Sequence, residues 1–192
     1  MRAAIILAAG RSRRFGTANK LLSRYRGRPL LRWAIDAALG AQVGRVLVVI
    51  GADRIRAAKV VHAVRNGRVS AVFAPNHRRG HRASLLHGLR SLRASEGEAL
   101  VFLGDMPLAD HGLATRLVRA ARGAGIAVRA THRGIPGHPV LIRDVKTVAD
   151  RLIRDESPFR NGEVLRVESG PEAIRDIDRP GERFFRVGVR PR

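Results

Sequence analysis

The chain has 192 residues and a formal net charge of +21, from 37 Lys and Arg against 16 Asp and Glu. Hydrophobic residues make up 45% and charged residues 28%, which excludes wholesale disorder and a collagen-like repeat and leaves enough chain for one domain with one sizeable core. Cysteine is absent, so disulfides, thiolate metal sites and cysteine nucleophiles are excluded.

Ala3 to Ala8 is a short apolar run that leads into Gly10, and it reads as a strand buried on both faces. Glycine and arginines follow at once, so this start is too short and wrongly flanked for a secretory signal. No apolar run approaches the roughly 20 residues that span a bilayer, and a soluble, cytoplasmic protein is expected. Gly10 to Lys20 is polar and rich in Arg and Gly. Pro29 opens an amphipathic helix with Leu30, Leu31, Trp33, Ala34, Ala37 and Ala38 at helical spacing, and Trp33 on that face reads as core. Val46 to Ile50 is a second buried strand, stopped by Gly51. Ile55 to Val64 has a helical period, and Val69 to Phe73 is a third strand, stopped by Pro75. A loop with Gly80 leads to a helix from Ala83 to Leu92. Leu100 to Leu103 is a fourth strand and runs into Gly104-Asp105-Met106-Pro107. A helix from His111 to Ala121 and an extended run from Ile126 to Thr131 follow. Pro136, Gly137 and Pro139 mark a turn before an extended Val140 to Ile142, and Val145 to Ile153 is a short helix. The remainder is loop-rich up to Asp176-Ile177-Asp178, with a brief helix after Pro180 and a frayed end at Val189 to Arg192. Strands alternating with helices at this spacing predict right-handed βαβ units, hence a three-layer α/β domain with a mostly parallel sheet and helices on both faces. No linker or internal repeat interrupts residues 1–192, so a single domain is expected.

The positive charge invites nucleic acid, an acidic membrane or an anionic substrate. The arginines are scattered over every segment, and aromatic residues are only 4%, which argues against a basic tail and a base-stacking platform. A polyanionic small substrate such as a nucleoside triphosphate fits what remains. In a parallel sheet, ligands sit at the carboxyl ends of the strands. The first strand delivers Leu7-Ala8-Ala9-Gly10 there, where small residues let backbone N–H groups approach an anion. Arg11, Arg13, Arg14 and Lys20 add positive charge, and Ser12 is a turn residue or a hydrogen-bond partner. The glycine spacing is neither that of the dinucleotide fingerprint nor that of the phosphate loop with its G-K-[ST] ending. Only three of the 37 cations are lysines (Lys20, Lys59 and Lys146), so Lys20 stands where arginine is the default. A compact ammonium suits a point contact to phosphate.

Asp105, at the end of an apolar strand, suits either a capping role or Mg²⁺ binding with the ion bridging phosphate oxygens. Asp176 and Asp178 share one face if their stretch is extended, and they read either as a surface turn or as a second source of a metal ligand. His138, in a turn, reads as scaffold or as a phosphate-positioning group. His62, His77, His81, His87, His111 and His132 lack metal-ligand spacing, and no Ser-His-Asp order forces a hydrolase reading.

The stretch Leu7-Ala8-Ala9-Gly10-Arg11-Ser12-Arg13-Arg14-Phe15-Gly16 through Asn19-Lys20-Leu21-Leu22 resembles the signature of the MobA-like nucleotidyltransferases, and within them most the molybdenum cofactor cytidylyltransferases. Ala9-Gly10, where GTP users carry two glycines, resembles the CTP users, and Phe15 replaces the family's usual methionine. Gly104-Asp105-Met106-Pro107 looks like the family's metal-binding segment. Asp176-Ile177-Asp178-Arg179-Pro180 resembles its D-I-D-T-P segment, with Asp178 the expected ligand beside Asp105 and Arg179 in place of threonine. Gly80 to Leu85 resembles the nucleotide-side loop and matches at Ser84, although Arg82 and Ala74 depart from the pattern. Gly137-His138-Pro139-Val140 is similar to the substrate-side motif. Asp155 to Arg160 keeps Arg160 of a further family stretch, with Pro158-Phe159 in place of small residues.

The resemblance implies a Rossmann-like nucleotidyltransferase fold and a Mg²⁺-dependent transfer of CMP from CTP to the terminal phosphate of the molybdenum cofactor. Lys20, Arg14 and Asp105 would be catalytic. Leu7, Ala8, Ala9, Gly10, Arg11, Ser12, Lys20, Gly80, Ser84 and Asp105 would hold the nucleotide, and His138 and Arg160 the second substrate. A molybdoenzyme or its maturation chaperone would receive the product. The same fold with GTP or another phosphorylated acceptor, a cofactor-binding chaperone without catalysis, and a nucleic-acid-binding domain are the rival readings.

Overall fold

The computed structural model describes residues 1–10, 19–123 and 125–176. The chain begins with β1 (Arg2–Ala8). A 3₁₀ turn (Lys20–Leu22) precedes a small ribbon, β2 (Arg24–Tyr25) and β3 (Arg28–Pro29), then α1 (Leu30–Gly40). There follow β4 (Arg45–Ile50), α2 (Arg54–His62), β5 (Val69–Phe73), α3 (His81–Arg90), β6 (Glu98–Leu103) and α4 (His111–Ala120). The last described part holds β7 (Ala127–His132), β8 (Ile135–Ile142), α5 (Val145–Ile153) and β9 (Val164–Glu168). Seven strands form one sheet in the order β5-β4-β1-β6-β8-β7-β9. β1 lies parallel between β4 and β6, β5 is parallel to β4 and β9 to β7, while β8 runs antiparallel to both of its neighbours.

Alternation along β1 fixes the three layers. Ala4 and Ile6 face a core built with α1, α2 and α4, through Leu31, Ile35, Val61, Leu113 and Leu117. Ile5 faces the opposite core, built with α3 and α5 through Leu89, Val148 and Leu152. Ile5 and Ile6 are both fully buried, and each such side chain contributes roughly 1.5–3 kcal/mol. Gly88 lets α3 lie close on the sheet, because a Cβ there would stand 2.9 Å from Ile5 and 3.0 Å from Val49. Among the described residues no helix is long and apolar enough to cross a membrane.

The α/β expectation agrees with this architecture, and three local readings need correction. Pro136, Gly137 and Pro139 do not form the turn; they lie inside β8. The turn is Arg133-Gly134, both at positive φ (50° and 78°), the backbone of a tight two-residue hairpin. The ladder shifts register between Arg129 and Thr131, so residues 137–139 occupy a bulge where a missing proline N–H costs little. Val164 to Glu168 is not loop but the edge strand β9; half-exposed and mixed in polarity, it carries no clean period. The sheet's antiparallel insertion of β8 is likewise a product of tertiary pairing. Trp33 is only partly buried, because it lies beside the Leu30, Leu31, Ala34, Ile35 and Ala38 stripe of α1. Its Nε1 donates to the Tyr25 carbonyl at 2.9 Å, and Arg28 stacks 4.1 Å from its ring. The expected helix after Pro180 and the frayed end lie outside the described residues.

Candidate active site

The strands β4 and β6 flank β1 on opposite sides, so chain direction away from β1 reverses there and a crevice opens at the carboxyl ends. Gly104, just past β6, donates its N–H to the Leu7 carbonyl at 3.1 Å. A Cβ at Gly104 would lie 3.3 Å from that carbonyl and 3.1 Å from Leu21, so glycine permits both approaches. Leu21 is buried here and anchors the 3₁₀ turn. Asn19 caps that turn, its Oδ1 accepting from the Leu21 N–H at 3.0 Å. Lys20 is thereby held against the residue after Gly104.

Lys20 is 7% exposed. Its ammonium lies 2.8 Å from Asp105 Oδ2 and 3.3 Å from Asp176 Oδ2. A buried cation is tolerated when charge and hydrogen bonding offset its lost hydration, and two carboxylates do this here. Asp176 arrives from 156 positions along the chain. After β9, Ser169 donates to the Thr131 carbonyl at 2.8 Å, and the buried Ala173 packs with its carbonyl against Gly137. The segment so anchored delivers Asp176 to Lys20.

Lys20, Asp105 and the late acidic segment therefore meet at one place. The late segment contributes Asp176 to it. Asp178, the ligand expected from sequence, lies outside the described residues, as do Arg11, Ser12 and Arg14. Two carboxylates gathered on one ammonium form a donor set that fits Mg²⁺: hard oxygens with a cation already standing between them. Among the described residues no group of three potential metal-ligating side chains occurs.

On the other side of β1, Ala8 and Ala9 are buried and Gly10 is exposed. A Cβ at Gly51 would stand 2.6 Å from the Ala9 carbonyl oxygen, 2.7 Å from the His77 ring and 2.8 Å from the Ala9 methyl. Gly51 thus brings the ends of β1 and β4 and the loop after β5 into one wall. His77 continues that wall, with Nδ1 2.9 Å from the Ala74 carbonyl. The Gly80 N–H donates to the His77 carbonyl at 3.1 Å, and Gly80, at φ +100°, caps α3. Ser84 is buried, and its hydroxyl donates to the Gly80 carbonyl at 3.3 Å.

His138 occupies the β8 bulge. Burial, aided by the positive charge of Arg129, pushes its imidazole down to about 3. Arg129 braces the bulge, its Nε donating to the Gly137 carbonyl at 3.0 Å. Arg160 is exposed and pairs with Glu156 at 3.3 Å, while its backbone N–H donates to Glu163 at 2.7 Å. Arg82 hydrogen-bonds the Glu156 carbonyl and lies 3.5 Å from Asp155, which links α3's first turn to the Arg160 loop. Glu163 receives two hydrogen bonds from Arg151, at 2.6 and 2.7 Å, and that guanidinium holds its carboxyl down to about 2. Sequence reasoning did not single out Gly51, His77 or Arg129. Gly51 carried a signal as the stop of a buried strand; the other two carried none.

Residues 4–166 match the family described as the MobA-like NTP transferase domain. The molybdenum cofactor guanylyltransferase of Acidiphilium cryptum is 36% identical over 162 residues, covering 82% of this chain and 75% of that protein. The bifunctional protein GlmU of Bordetella petrii is 31% identical over 183 residues, covering 91% of this chain but 36% of its own length. The chain spans about a third of the length of the GlmU proteins it matches. A solved nucleotidyl transferase from Methanothermobacter thermautotroptrophicus superposes with a TM-score of 0.70 at 26% identity, covering 93% of this chain and 92% of that one. On the residues matched and the shared length, the chain belongs to the MobA-like NTP transferase family.

Proposed function

We propose that the chain transfers a nucleotidyl group from a nucleoside triphosphate to a phosphorylated acceptor, with CTP as donor and the terminal phosphate of the molybdenum cofactor as acceptor. The observation that carries this reading is the Lys20–Asp105–Asp176 cluster at the carboxyl ends of β1 and β6. The acceptor phosphate oxygen is already ionised at neutral pH, so no general base is needed. It bonds to the α-phosphorus; the bond from that phosphorus to the bridging oxygen breaks, and its electrons leave with pyrophosphate. The task left to the protein is to bring two polyanions together and offset their charge. Asp105 and Asp176 would hold Mg²⁺, with Asp178 the further acid expected from sequence. When bound there, the ion supplies positive charge to the phosphate oxygens. Lys20, and Arg14 in the opening turn, would stabilise charge on the departing pyrophosphate. The Ala9–Gly51–His77 wall would meet the nucleoside, and His138 and Arg160 the acceptor.

Ala9-Gly10, where GTP users carry two glycines, supports CTP through its resemblance to the CTP users. The guanylyltransferase relative supports GTP as the second reading. Incubation with molybdenum cofactor, each of the four triphosphates and Mg²⁺, with mass identification of the dinucleotide product, tests both. Pyrophosphate and a CMP-linked product are expected. A GMP-linked product would move the assignment to GTP, and no product with any triphosphate would defeat it. Lys20→Ala and Asp105→Ala should each lose at least 100-fold in turnover while remaining folded.

A further inference from the structure

Resting on that reading of the site, the geometry points to a second role for Lys20: in the nucleotide-free protein its ammonium occupies the metal position. We infer that a divalent cation and Lys20 exchange places, the ion taking the two carboxylates and the ammonium moving onto the phosphates.

The charges and distances make the case. One ammonium bridges two carboxylates, at 2.8 and 3.3 Å, and these are the oxygen donors that would hold a dication. The lysine side chain is 9% exposed, whereas those of Asp105 and Asp176 are 26% and 43% exposed, so the pair is reachable from solvent on the acids' side. Among the described residues, Lys20, Asp105 and Asp176 together carry a formal charge of −1. A dication in the same place neutralises both acids and frees one positive charge at the edge of the pocket. Metal binding and phosphate binding are thereby coupled: the ion binds weakly while lysine competes for its ligands, and a triphosphate relieves the competition by taking the ammonium. A compact, flexible ammonium can make this exchange, whereas a planar guanidinium locked by two carboxylates would resist it. This accounts for lysine at a position where the chain's habit is arginine.

Mn²⁺ alone, titrated into nucleotide-free protein and followed by its electron paramagnetic resonance signal, is the test. Lys20→Met should bind Mn²⁺ at least tenfold more tightly than the unmodified chain, and Lys20→Met with Asp105→Asn should lose the gain. Equal affinity in Lys20→Met and the unmodified chain, or a gain that survives the added Asp105→Asn, overturns the exchange. Because Lys20→Met leaves two acids facing each other, the unmodified chain supplies an independent measurement. Labelled at Cε, its three lysines give three resonances, assigned with Lys59→Arg and Lys146→Arg. Mg²⁺ with a non-hydrolysable triphosphate should shift the Lys20 resonance and spare the other two; an unmoved Lys20 line overturns the proposal. Failure of the exchange and failure of the function are separable. Normal nucleotidyl transfer with no tightening in Lys20→Met removes the exchange alone. Tightening without transfer from any triphosphate supports the exchange and removes the functional reading.

Discussion

Asp105→Asn, Lys20→Met and the double variant close a thermodynamic cycle on the central ion pair. At 2.8 Å and an effective dielectric of about 20, the Coulomb attraction is about 6 kcal/mol before desolvation is counted. Burying the lysine returns much of that, because its side chain is only 9% exposed. Removing the sole partner of a buried ion costs about 3–5 kcal/mol. Lys20 keeps Asp176 at 3.3 Å, so Asp105→Asn should cost less, about 1–3 kcal/mol. The coupling energy of the cycle should fall in the same range of about 1–3 kcal/mol, as for residues in direct contact. Urea unfolding reports it through Trp33, the only tryptophan, which sits on α1 with its indole bonded to the Tyr25 carbonyl. In a domain of this size each 1 kcal/mol corresponds to about 2–4 °C in Tm, which gives a second readout. A coupling below about 0.5 kcal/mol would mean that the ammonium does not rest on Asp105, and the reasoning built on that contact would fall.

Gly51→Ala should destabilise by about 1–3 kcal/mol through overpacking, since its Cβ would sit 2.6 Å from the Ala9 carbonyl oxygen and 2.7 Å from the His77 ring. Steady-state kinetics should show KM for the triphosphate rising more than kcat falls; an unchanged Tm and KM would refute a shared wall. Two acid limbs are expected in a plot of Tm against pH. Below 6.5 the unfolded chain takes up a proton that His138, pushed down to about 3, refuses in the folded state, so stability falls with pH over that window and His138→Gln should flatten it. Glu163 shifts from 4.5 to about 2, so its contribution is complete above 4.5 and lost as pH falls through 2; Glu163→Gln should remove that lower limb, and identical profiles in the variant and the unmodified chain would refute it.

Chain order alone determined the alternation of strands and helices up to β6, because buried strands of a parallel sheet are continuous apolar runs and the helices between them keep a 3.6-residue period. It also marked Lys20 and Asp105, through a rare residue type and a strand end. Beyond Gly134 local signals marked α5 but misplaced the hairpin turn and missed β9. Prolines in β8 are tolerated by a bulge that pairing with β7 creates, and β9 exists only because β7 offers it an edge. Trp33 looked like core because a helical face is wider than the stripe its neighbours cover. Only the tertiary structure decided that Asp176 meets Lys20, since that contact depends on Gly137 and Ala173 anchoring a segment 156 positions away. Only it could show the His138 imidazole pushed down, because its burial and the Arg129 charge beside it arise from the pairing of β8 with β7. Local pattern encodes which residues turn inward; which of them touch is set by strand order and register, and that is where the chemistry is assembled.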